Sequence, residues 1–141
     1  MNLLITRHDK IGDFCVTLPL FKAIKEQYPN TKVTALVSKE YIEKNLDFKA
    51  TIFDSRISLY EFTRYLACSF LFVSTSTGPM HLAGASNTKT LSFFGNSLFA
   101  SSKRWATISS LENQNNFMLS ADYSKEDYLK IEKKLEEIIS E

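Results

Sequence analysis

The sequence predicts an α/β fold, a single doubly wound domain on a mostly parallel sheet of five or six strands. Three observations carry this. Short apolar runs of strand length alternate with stretches whose apolar residues recur at helical period. The run Phe70 to Ser74 is continuously apolar before its final serine, as a central parallel strand covered on both faces requires. No repeat at a solenoid period and no low-complexity linker interrupts the pattern, so it reads as one domain.

Leu3 to Thr6 is the first strand, followed by a polar loop from Arg7 to Gly12. Asp13 to Tyr28 reads as a helix, with Phe14, Leu18, Phe21, Ile24 and Tyr28 on one face. Pro19 predicts a kink or a late start, because proline cannot donate to the preceding turn. Pro29-Asn30 ends that helix, and Lys32 to Val37 is a second strand. Ser38 opens a short helix to about Leu46, and Ala50 to Phe53 is the third strand. Ser58-Leu59-Tyr60-Glu61 is a capping box that starts a helix to about Ala67. Phe70 to Ser74, helical Gly78 to Ala85 and strand Thr90 to Phe94 follow. Asn96 to Asn116 is rich in Ser and Asn and takes no clear assignment, and Asn116 to Leu119 reads as a last edge strand. A second capping box, Ser124 to Asp127, opens a terminal helix with Tyr128, Ile131, Leu135 and Ile138 facing inward. Right-handed crossovers then give a Rossmann-like sheet in the order 3-2-1-4-5.

Size and charge fit one such domain. The chain has 141 residues, 44% of them hydrophobic and 23% charged, which is a globular composition. Its formal net charge of +1 argues against the broad basic face of a nucleic-acid binder. No apolar run approaches the ~20 residues of a membrane span. The start has no signal-peptide pattern, since Arg7 and His8 interrupt its apolar stretch. Cys15 and Cys68 fit no metal or redox spacing and are expected as buried free thiols in a reduced, cytoplasmic protein. No metal site is expected.

The carboxyl edge of the sheet is the expected binding edge. Gly12 follows the first strand, Gly78 the fourth and Gly95 the fifth, so Asp13 and the Ser76-Thr77-Gly78 turn should share a crevice. Turn glycines without a ligand would look the same. No acid occurs between Glu61 and Glu112, whereas Arg64, Lys89, Lys103 and Arg104 do, so an anion such as a diphosphate is favoured there. Scattered solubilising cations are the alternative. In Ser76-Thr77-Gly78-Pro79-Met80-His81, Ser76 or Thr77 can cap a helix and Pro79 suits its first turn. The free N–H groups and the helix dipole would attract phosphate. A capped helix with no ligand explains these residues equally.

Two segments together resemble a known family. Arg7-His8-Asp9-Lys10-Ile11-Gly12-Asp13, with Leu18-Pro19, is similar to the N-terminal motif of the ADP-heptose:lipopolysaccharide heptosyltransferases, glycosyltransferase family 9. Phe72 to Ala83, with Phe93-Phe94-Gly95, resembles that family's donor-site motif, most specifically in Thr77-Gly78-Pro79-Met80-His81-Leu82-Ala83. Family members have an acceptor and a donor domain with catalysis in the cleft between them. Residues 1–55 resemble the first half of the acceptor domain and residues 57–141 the second half of the donor domain. The join lies near Asp54 to Ser58, and both blocks are expected to build one sheet over 1–141.

The resemblance implies transfer of a sugar from a nucleotide-diphosphate donor of the ADP-heptose type to a lipopolysaccharide-core acceptor. The mechanism it implies is inverting and metal-independent, with no cofactor beyond the nucleotide sugar. Asp13 would be the general base that takes the acceptor hydroxyl proton. Ser76, Thr77, Gly78, Pro79, Met80 and His81 would form the donor diphosphate turn, with Lys10, Gly12 and Gly95 at the ligand edge. The family would place the protein in the cytoplasm, at the inner face of a bacterial membrane, with no span and no nucleic-acid partner. The bland alternatives stay open: Asp13 as a helix cap, His81 as a packing histidine, His8 as a loop residue.

Ser76 stands where the family usually has Asp, and Trp105-Ala106-Thr107 where it has Trp-Gly-Pro. Without the remaining family segments, an active enzyme would need a homodimer that rebuilds the cleft or a relaxed site. A diphosphate-binding module without turnover is therefore a second hypothesis. A receiver-like signalling domain is a third, since Asp54 and Ser74-Thr75 end strands, but it lacks the acidic pair and the fifth-strand lysine of a magnesium site.

Overall fold

The computed structural model describes residues 2–6, 23–37, 51–54, 58–120 and 122–141. Six strands form one sheet: β1 (Asn2–Thr6), β2 (Lys32–Val37), β3 (Thr51–Asp54), β4 (Leu71–Thr75), β5 (Thr90–Gly95) and β6 (Gln114–Leu119). Their order is β3-β2-β1-β4-β5-β6, and every pair is parallel. The chain winds outward from β1 to β3, then returns to β4 on the other side of β1. The order therefore reverses between β1 and β4, the switch point of a doubly wound sheet.

Helices cover both faces. Residues 23–27 are helical (α1), followed by α2 (Leu59–Ala67), α3 (Gly78–Ala85), a one-turn α4 (Ser102–Trp105) and α5 (Lys125–Ser140). Alternation along β4 explains the two layers, because successive strand residues point to opposite faces. Leu71 and Val73 join Val33 and Leu91 under Ile24 of α1 and Ile131, Leu135 and Ile138 of α5. Phe72 points the other way and packs with Phe94 under Leu66 of α2 and Met80 and Ala83 of α3. Phe72, Leu66 and Met80 are fully buried, each worth about 1.5–3 kcal/mol of transfer free energy.

Both capping boxes form. The Glu61 N–H donates to Ser58 Oγ at 3.2 Å and the Ser58 N–H to the Glu61 carboxylate at 3.4 Å. At α5 the Asp127 N–H donates to Ser124 Oγ and the Ser124 N–H to Asp127 Oδ2, both at 3.1 Å.

The unassigned stretch, Asn96 to Asn116, holds α4 and a 3-10 turn at Leu111–Asn113 before β6, which starts at Gln114. Side-chain amides rather than apolar period shape it. Asn87, at φ 53° just past α3, accepts the Ser110 N–H on Oδ1 at 3.0 Å. Gln114 Nε2 donates to the carbonyls of Thr107 and Ser109 at 3.1 and 2.7 Å. Such contacts join distant positions and leave no periodic trace in the chain.

Two expectations are corrected. Cys68 is exposed, because it caps the outer end of α2 after Leu66 has taken the buried position. The four basic residues are not gathered at one edge. Lys89 precedes β5 at the sheet's amino edge, stacks on Phe70 and pairs with Glu141. Arg64 lies on α2 in a hollow with Glu61, Tyr65 and Cys68. Lys103 and Arg104 alone of the four stand near the carboxyl edge, on α4. The polar loop expected from Arg7 to Gly12, the helix start and kink expected between Asp13 and Pro19, the short helix expected after Ser38, and Cys15 lie outside the described residues.

Candidate functional site

A cleft of about 630 Å³ opens at the carboxyl ends of β4 and β5. Its floor and one wall are Thr75, Ser76, Thr77, Gly78 and His81, where β4 turns into α3. Phe93, Phe94 and Gly95 of β5 and Phe99, Ala100 and Trp105 of the following loop make the other.

Backbone geometry leaves the turn open. The Ser76 N–H continues the sheet by donating to Phe93 O at 3.2 Å. Thr77 is the N-cap of α3, extended at φ −143° and ψ 167°, but its side chain makes no cap bond. Its hydroxyl instead turns back to Thr75 O at 3.3 Å and lies 3.1 Å from Ser74 Oγ. The expected side-chain cap is therefore absent, because Ser74 and Thr75 compete for that hydroxyl. The Met80 and His81 N–H groups both reach Thr77 O, at 3.1 and 3.4 Å, and Pro79 has no N–H. The Gly78 N–H is left with no acceptor among the described residues, at the positive end of a helix dipole. A Cβ built on Gly78 meets nothing within 4 Å, so the glycine opens free space rather than relieving a clash.

The expected site residues divide. Ser76, Thr77, Gly78, His81 and Gly95 converge on the cleft. Pro79 is beside it without lining it, and the Met80 side chain is wholly buried among Leu66, Phe72 and Phe94. His81 is exposed and makes no side-chain hydrogen bond to a described residue. Asp13, Lys10 and Gly12, with His8, lie outside the described residues.

The aromatic wall was not anticipated. Trp105 Nε1 donates to Phe99 O at 2.7 Å and fixes the loop, while Gly95 lets Ala100 approach to 2.9 Å from where a Cβ would stand. The available signal was a lone tryptophan and two exposed apolar residues, Leu98 and Phe99, within a polar stretch. No carboxylate lines the cleft among the described residues. They also contain no cluster of three His, Cys, Asp or Glu side chains, and no helix long and apolar enough to cross a membrane.

The sequence profile of glycosyltransferase family 9 (heptosyltransferase) matches residues 29–139. The chain belongs to glycosyltransferase family 9. This span contains the whole β4–α3 turn and the aromatic wall, and the family leaves the receiver-like hypothesis without support. A Haemophilus influenzae protein named "Putative glycosyltransferase" is 38% identical over 76 residues, 52% of this chain and 22% of that protein. The crystal structure of a family 9 glycosyl transferase from Veillonella parvula superposes with a TM-score of 0.57 at 11% identity. It covers 96% of this chain and 38% of the Veillonella chain, a likeness of fold. The chain thus spans about a fifth of its curated relative's length.

Proposed function

We infer that the cleft binds the diphosphate of a nucleotide-sugar donor and that the chain serves sugar transfer to an acceptor hydroxyl. One observation carries this: the open, uncapped first turn of α3 faces a cleft shared by Thr77, Gly78, His81 and Gly95 in a family 9 chain. The Gly78 N–H and the helix dipole suit the charge that grows on a departing diphosphate. Open space at Gly78 admits a phosphate oxygen close to the backbone.

In the reaction proposed, Asp13 takes the proton of the acceptor hydroxyl as its oxygen bonds to the anomeric carbon. The bond from that carbon to the diphosphate oxygen breaks, the electron pair leaves with the diphosphate, and the configuration inverts. No metal is assigned a step. The donor proposed is of the ADP-heptose type and the acceptor a lipopolysaccharide core. The setting proposed is the bacterial cytoplasm at the inner membrane face, with a second copy or a further segment completing the acceptor side.

Ser76 in place of the family's usual acid favours a second reading, a diphosphate-binding module without turnover. Calorimetric titration with ADP and an ADP-sugar, against CDP and GDP, tests the shared premise. Saturable binding that weakens in Gly78→Val is expected, and no binding at millimolar ligand overturns both readings. Asp13→Asn then separates them. Transfer falling about 10²–10⁴-fold with ADP binding retained marks the enzyme. No transfer from the wild type marks the module.

A further inference from the structure

We propose that the loop carrying α4 is a docking surface for an anionic membrane. It rests on and deepens the membrane-face location proposed above, and vesicle binding is tested without a nucleotide. Leu98 and Phe99, adjacent in the chain, are 79% and 68% exposed. They line one open hollow with Lys103 and Arg104 and with no acid. The Arg104 guanidinium lies over the Phe99 ring at 4.5 Å and the Trp105 ring at 5.1 Å. Met118 of β6, also exposed, extends the patch by accepting the Ser102 N–H on its sulfur at 3.3 Å.

Three features choose a lipid surface as the occupant. The first is charge: no acid occurs between Glu61 and Glu112, and neither Lys103 nor Arg104 has an acidic partner among the described residues. A patch bearing both cations unopposed is complementary to anionic headgroups. The second is shape: the apolar tips stand on an open hollow, suited to a soft interface rather than to one inserted side chain. The third is chemistry: Trp, Phe and Leu beside Lys and Arg is the combination that lies at headgroup level, rings in the acyl boundary and cations on phosphate. Because Phe99 and Trp105 also wall the cleft, a docked membrane would lie against the cleft's rim.

Vesicle co-sedimentation of the full chain tests this. The vesicles are phosphatidylglycerol with phosphatidylcholine at equal amounts, against phosphatidylcholine alone. Binding to the anionic vesicles is expected, falling as salt rises. Each basic residue at such a surface is worth about fivefold in partitioning, so Lys103→Gln with Arg104→Gln should weaken binding about thirtyfold. Lys125→Gln with Lys133→Gln removes the same charge from exposed positions of α5 and should change binding less than about threefold. Leu98→Ser, which does not touch the cleft, should weaken binding while leaving ADP titration unaltered. If anionic vesicles hold wild type and the Lys103/Arg104 variant alike, the patch is overturned and the membrane-face location survives through another surface. Absent wild-type binding overturns both, whereas equal binding to both vesicle types overturns the anionic patch and leaves the membrane-face location standing. Retention on immobilised polyglutamate without vesicle binding gives the surface to an acidic protein and likewise overturns the proposal. Thermal melts of the variants confirm that each is folded.

Discussion

Gly84 and Thr107 are packed so closely that a Cβ on the glycine would stand 2.3 Å from the threonine Cβ. This contact presses α3 onto the segment after α4. Thr107 is buried, and its hydroxyl is 2.8 Å from Ser109 Oγ, which leaves it little room to yield. Gly84→Ala should therefore destabilise the fold by about 1–3 kcal/mol, although alanine is the better helix former. Urea unfolding measures this. Adding Thr107→Gly should recover part of the loss, and a strictly additive double mutant would rule out the contact as its cause.

Gly78 sits in the same helix under the opposite condition. Open space surrounds its missing Cβ, and its φ is not positive. Gly78→Ala should keep or raise stability, by up to about 1 kcal/mol, through reduced freedom of the unfolded chain. ADP binding should weaken at the same time. A thermal melt and a calorimetric titration on one sample give both signs, and unchanged affinity would remove Gly78 from the site.

The capping boxes make a separate pair of predictions. Ser58→Ala should cost about 1 kcal/mol in urea unfolding, as loss of a serine cap generally does. At α5, hydrogen bonds from the Ser124 side chain and backbone hold the Asp127 carboxyl below its ordinary 3.8. A lowered folded value means this contribution is complete well above 3.8 and is lost as pH falls through the folded value. Unfolding curves at pH 6 and on down through the acid range should show that loss. Ser124→Ala should flatten it, and an unaltered acid limb would contradict the assignment.

Trp105 provides an internal probe, since it is the single tryptophan of the chain and lines the cleft. Its emission should change saturably on titration with ADP, with the midpoint found by calorimetry. Gly78→Val should shift both midpoints together. Calorimetric binding with silent fluorescence would place the nucleotide away from the aromatic wall.

Patterning along the chain determined much of the architecture without help from the structure. β2 and α3 lie at Lys32–Val37 and Gly78–Ala85 as expected, and the other described elements differ mainly by a residue or two at their ends. Both capping boxes were legible because each is a local exchange between residues three apart. The strand order followed from alternation and handedness, which are rules about neighbours in sequence. The Thr77-Gly78 turn was legible for the same reason, as a strand end running into a helix start.

What the tertiary structure decided depends on backbone geometry and packing that no periodic pattern records, over short separations as well as long ones. Thr77 abandons its cap because Ser74 and Thr75 sit behind it, and Met80 leaves the turn for the core because Phe72, Leu66 and Phe94 leave space for it. Cys68 is exposed and Lys89 lies at the far edge because helix phase and strand polarity, rather than sequence proximity, set where a side chain points. The aromatic wall exists because Trp105 folds back onto Phe99 O across a loop with no periodicity. Local residue pattern encodes secondary structure and caps; the shape of the cleft comes from packing, which a linear pattern does not record.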